Sequence, residues 1–127
     1  MTAAKTSPEN ALMSATIFHN PRCSKSRQTL QLLLDKGIEP RIVEYLETPP
    51  DAATLNAILT QLDMEPRDLM RRKEPEYQAL NLADPNLSRE ALIQAMVEHP
   101  TLMERPIVLV NKKAALGRPP ENVLEIL

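Results

Sequence analysis

The sequence is short of cysteine, glycine and aromatics: one Cys, two Gly, two Tyr, one Phe and no Trp in 127 residues. A single cysteine excludes an internal disulfide. One Cys with two His is also too few for a structural zinc site made by the protein alone, so no metal is expected. Neither sign of charge dominates, with 15 Lys and Arg against 17 Asp and Glu. A nucleic-acid protein needs surplus positive charge to meet phosphates, and none is available here. No apolar run approaches the roughly 20 residues that a membrane helix requires. The first residues, MTAAKTSPENALMS, lack the uninterrupted apolar stretch of a secretory signal. The expectation is a cytoplasmic protein with neither a nucleic-acid nor a membrane partner.

What is present is ordinary for a globular domain: 43% hydrophobic and 25% charged residues. A chain this long buries roughly two-thirds of its unfolded surface. Twelve prolines punctuate it, because proline starts helices and interrupts strands. Residues 1–14 show no period and read as a mobile extension. Ala15 to Phe18 is a β-prone run that Pro21 closes. From Ser24 to Lys36, Leu30, Leu33 and Leu34 keep helical spacing, and Gly37 sits where a C-terminal cap belongs. Arg41 to Leu46 is a second strand, mostly apolar and so expected in the sheet interior. The β-α-β order makes these two strands parallel.

The middle of the chain, about residues 48–100, reads as all helical. Thr48-Pro49-Pro50-Asp51 resembles a capping box, and Leu55, Ile58, Leu59 and Leu62 follow at amphipathic spacing. Pro66–Arg72 and Glu74–Leu80 fit two shorter helices. Ser88 reads as the N-cap of another helix that ends before Pro100. Pro106 to Val110 and Ala114 to Gly117 form an antiparallel hairpin, and Pro119 starts a last helix. These elements make one α/β domain over 15–127, with a helical insertion and a mixed four-stranded sheet (β-α-β, then β-β-α).

Cys23 lies between a strand end and a helix start. A lone cysteine is ordinarily a small buried apolar residue. Here the free N–H groups and positive dipole end of a helix N-terminus favour the thiolate. Arg22, Lys25 and Arg27 add charge, and Ser26 places a hydroxyl at Cys+3. A thiol of low pKa is the expected result, which makes a nucleophile at neutral pH. Ser26 stands where a dithiol protein keeps its second cysteine, so an intermediate on Cys23 must be resolved by an external thiol. His19 could equally be a source of positive charge or a satisfied strand-end residue, and His99 reads as structural. Arg71, Arg105 and Arg118 sit at element ends, where guanidinium groups can converge on a tetrahedral oxyanion.

The stretches IFHNPRCSKSRQTL, EYLETPP, DLMRRKEPEY, EHPTLMERPIVLV and GRPPENVLEIL, in this order, resemble the glutaredoxin-coupled arsenate reductase family, of thioredoxin-like fold. The resemblance implies that Cys23 is the nucleophile, that His19 lowers its pKa and that the Ser26 hydroxyl supports the thiolate. It places Arg71, Arg105 and Arg118 on the oxyanion and gives a cis peptide bond at Pro106. No bound cofactor is implied. Glutathione enters as co-substrate and glutaredoxin as partner. Ser24-Lys25 stand where typical reductases of this family carry Gly-Thr, and the chain stops at Leu127 where they commonly continue. Both features suggest a side branch. Two other readings stay open at this point: a monothiol oxidoreductase acting on another substrate, and a binding module related to RNA-polymerase-binding regulators.

Overall fold

The computed structural model describes residues 14–127. The expected extension therefore lies outside the described residues apart from Ser14, whose carbonyl accepts the Asn111 N–H at 3.0 Å. The chain divides into two compact units: the part up to Val43 with Arg105–Leu127, and Glu44–Glu104.

In the first unit, strand β1 (Ala15–His19) leads into helix α1 (Ser24–Asp35) and strand β2 (Arg41–Glu44). The chain later supplies β3 (Ile107–Val110), β4 (Lys113–Leu116) and a 3-10 segment over Pro120–Ile126. The four strands form one mixed sheet in the order β2-β1-β3-β4, the thioredoxin-like arrangement. β1 runs antiparallel to β3, with Ala15 opposite Val110 and Ile17 opposite Val108. Side chains directly opposite share a face. These four residues accordingly meet Leu33 of α1, together with Ile38 and Val123, in a single core. Helix α1 ends in a Schellman motif, in which Gly37 N–H bonds Leu34 O at 2.9 Å and Ile38 N–H bonds Leu33 O at 3.0 Å. Gly37 has φ 79°, the left-handed conformation this cap demands and glycine supplies without strain.

β2 departs from its expected interior place. It is an edge strand with Arg41, Ile42 and Glu44 exposed. It also stops at Glu44, because the N–H groups of Glu47 and Thr48 turn back onto the Glu44 carbonyl. β4 begins one residue earlier than expected. Asn111 (φ 58°) takes the left-handed turn position and leaves Lys113 free to pair with Val110. The last element is a 3-10 segment rather than an α-helix.

The second unit is helical, as expected. α2 (Ala52–Leu62) buries Leu55, Ile58 and Leu59 and packs on α4 (Arg89–Glu98), which buries Leu92, Ile93 and Met96. Asp51, not Thr48, is the N-cap of α2: its carboxylate accepts the Thr54 N–H at 2.8 Å. Pro49 and Pro50 therefore precede the helix rather than start it. Ser88 caps α4 by accepting the Ala91 N–H at 3.1 Å. The expected helix over Pro66–Arg72 is only a 3-10 turn, Pro66–Leu69. α3 (Pro75–Ala79) is likewise short. Among the described residues no helix is long and apolar enough to cross a membrane.

Candidate active site

The loop from β1 into α1 is built from short-range bonds around Asn20. Its carbonyl accepts the Cys23 N–H at 3.0 Å, and its side-chain Oδ1 accepts the Arg22 N–H at 3.0 Å. Its own N–H donates to Ser26 Oγ at 3.0 Å. The result is a tight turn in which Pro21 supplies a pre-set φ and the asparagine side chain mimics a backbone acceptor. Cys23 leaves this turn as the N-cap of α1, with extended backbone (φ −94°, ψ 124°). An N-cap side chain faces the free N–H groups of the helix's first turn.

Cys23 is half-buried, and that burial alone raises a thiol's pKa. The net direction is nevertheless downward. The Ser26 N–H, the hydrogen bond and charge of the Arg105 guanidinium, and the Lys25 N–H together outweigh the burial. The two N–H groups act at longer reach than a formed capping hydrogen bond. The first turn of α1 contains no acidic residue to oppose the thiolate. The neighbouring basic residues contribute less than their positions suggest. The Arg27 guanidinium donates to the Pro21 carbonyl at 2.9 Å, and the cation on the sulfur is Arg105, distant in sequence.

Ser26 is fully buried, and its hydroxyl meets His19 Nδ1 at 2.6 Å besides accepting the Asn20 N–H. The contribution of Ser26 to the sulfur comes from its backbone N–H, while its hydroxyl joins the buried His19 ring to the loop. Arg105 follows directly on the second unit, and its peptide bond to Pro106 is cis, as is that from Arg118 to Pro119. Its Nε–H is buried and has no acceptor among the described residues. A buried guanidinium donor without a partner is costly unless something negative meets it. The exposed Arg118 reaches back to donate from Nη1 to the Arg105 carbonyl at 3.4 Å. Cys23, His19, Ser26, Arg105 and Arg118 thus all belong to the first unit. Arg71 belongs to the second, where it pairs with Glu74 at 3.3 Å and Glu104 at 3.4 Å.

Asn20 carries three of the loop's bonds yet was not among the site residues expected from sequence, although the Asn-Pro pair is a turn signal. Among the described residues no group of three His, Cys, Asp or Glu is placed to hold a metal ion. The site's resources are a thiol whose ionisation is favoured, helix N–H groups and guanidinium donors, which together suit an anion that a sulfur can attack.

Comparison with known proteins agrees in fold and extent. The chain is 65% identical over 112 residues to the Escherichia coli K12 protein YfgD, covering 87% of this chain and 94% of that one. It is 52% identical over 112 residues to an arsenate reductase of Neisseria meningitidis, covering 87% of this chain and 96% of the relative. A solved arsenate reductase from Vibrio cholerae superposes with a TM-score of 0.88 at 55% identity, covering 91% of this chain and 98% of that one. The ArsC family model matches residues 18–126, nearly the whole described structure, and the chain belongs to the ArsC family.

Proposed function

We propose that the protein reduces arsenate to arsenite through Cys23, with glutathione as co-substrate and glutaredoxin as the partner that recycles it. One observation carries this reading. A thiol whose pKa is held down by the Ser26 N–H and by Arg105 lies beside a buried Arg105 Nε–H that has no acceptor among the described residues. Disulfide exchange alone needs no such donor, whereas an oxyanion under attack does.

The Cys23 thiolate attacks the arsenic of arsenate; an S–As bond forms and hydroxide leaves. A glutathione thiolate adds to the same arsenic, with loss of a second hydroxide or water. The two sulfurs then join as a Cys23–glutathione disulfide while arsenic takes the electron pair, passing from As(V) to As(III), and one water adds to the arsenic as it departs as arsenite. A glutaredoxin thiolate attacks the glutathionyl sulfur, and Cys23 leaves as thiolate. Through the first step the guanidinium of Arg105, the exposed Arg118 and the α1 N–H groups stabilise charge on the arsenate oxygens. His19 acts through Ser26 to hold the loop that presents the sulfur.

The test is arsenate-dependent NADPH oxidation in the presence of glutathione, glutathione reductase and glutaredoxin, with Cys23→Ser run alongside. Turnover that disappears in the variant is the expected result. A folded wild-type protein that shows no arsenate-dependent turnover contradicts the proposal.

A further inference from the structure

Gly117 is buried at the point where three segments meet. Its N–H donates to the Pro106 carbonyl at 2.9 Å, and its own carbonyl lies 3.4 Å from Thr29 Oγ1. A Cβ added there would overlap Thr29 Oγ1, approach Pro106 Cγ to 2.8 Å and reach Thr29 Cγ2 at 3.0 Å. The φ of Gly117 is not in the left-handed region, so lack of space, rather than backbone freedom, demands the glycine. Thr29 is fully buried inside α1. Its one hydroxyl proton goes mainly to the Lys25 carbonyl at 2.8 Å, so its hold on Gly117 is chiefly packing. Lys25 lies in the turn whose N–H groups face Cys23. Pro106 is covalently next to Arg105, Gly117 is next to Arg118, and Arg118 donates to the Arg105 carbonyl.

From this junction we infer that Thr29 and Gly117 are positioning residues, whose close contact sets the separation between Cys23 at the start of α1 and the Arg105 and Arg118 guanidiniums. Both sides of the site are tied to it. Cys23 lies six residues up the helix from Thr29, about 9 Å at 1.5 Å per residue. Arg105 is one peptide bond from Pro106, which Gly117 holds, and Arg118 is one peptide bond from Gly117 itself. A methyl group inserted at the junction must push α1 and the Pro106 loop apart, which draws Arg105 away from the sulfur. The inference rests on Cys23 being the reactive group of the proposed reaction, and its test is chosen to be independent of arsenate.

The measurement is the rate of iodoacetamide alkylation of Cys23 across pH, on folded full-length Gly117→Ala, below its melting transition. With less help from Arg105 the thiol titrates at higher pH. Alkylation below neutral pH is expected to slow on the order of three- to tenfold, the factor for half to one pKa unit. KM for arsenate is expected to rise with it. Adding Thr29→Ala removes two of the three overlapping atoms and should return the alkylation profile most of the way. If Gly117→Ala does not fold, Thr29→Ala alone loosens the same contact and should shift the profile in the same direction by less. A variant that melts earlier but keeps the wild-type alkylation profile would overturn the inference, as would a double variant with no recovery. A shifted profile in a protein that never turns over arsenate would support the positioning role and refute the reductase reading alone.

Discussion

Burial and charge act on Cys23 in opposite directions, and the result decides whether the residue is chemistry or filler. Half-burial favours the neutral thiol, while the Ser26 N–H, Arg105 and the Lys25 N–H favour the anion and win. The thiolate therefore persists to lower pH than in a free thiol, which ionises near about 8.5. Of the named contributors only Arg105 acts through a side chain, so it is the one that substitution can remove cleanly. Arg105→Ala should shift the alkylation profile of Cys23 upward in pH and weaken protection of Cys23 by arsenate. A profile unchanged in that variant would mean that the backbone donors alone set the thiol. The sequence draws attention to Cys23, but to cations that are near it only along the chain. Arg22, Lys25 and Arg27 are close along the chain, yet Arg27 is taken by the Pro21 carbonyl. What matters is Arg105, brought in by a strand that pairs with β1, and no local pattern reports a contact of that sequence separation.

Elements were legible wherever the signal was local. The amphipathic spacing of α2, the Ser88 cap and the Gly37 stop of α1 all depend on residues within a turn of one another, and all three stand in the structure. Ser88→Ala should cost about 1 kcal/mol, the usual value of an N-cap hydroxyl. Thermal unfolding would record a lower melting temperature with Cys23 alkylation unchanged. No loss of stability would mean that water replaces the cap at no cost. The errors share a cause too. Arg41 to Leu46 reads as interior because it is apolar, but strand order, which depends on partners elsewhere in the chain, leaves β2 at the sheet edge. Thr48 and Asp51 both suit an N-cap, and only the reach of the Asp51 carboxylate to Thr54 decides between them. Pro66–Leu69 and Pro120–Ile126 carry helical composition, yet both fold as 3-10 segments.

At the scale of the whole molecule, the chain order β-α-β, helical middle, β-β-3-10 returns the last strands to the side of the first. That return places Arg105, the cis-Pro106 loop and Gly117 against the helix that presents Cys23. The sequence legibly contained the order of elements. The junction at Gly117 was not legible, because only the packed structure shows that a methyl group there has nowhere to go. With Ser26 where a dithiol protein has its second cysteine, the proposed reaction releases a sulfur adduct from Cys23 through an external thiol. The most direct test of the account is the intact mass of the protein after incubation with arsenate and glutathione, without glutaredoxin. The prediction is one glutathionyl group on Cys23 that forms only with arsenate present and is removed when glutaredoxin is added. A protein that stays unmodified, or that is glutathionylated equally without arsenate, would contradict it.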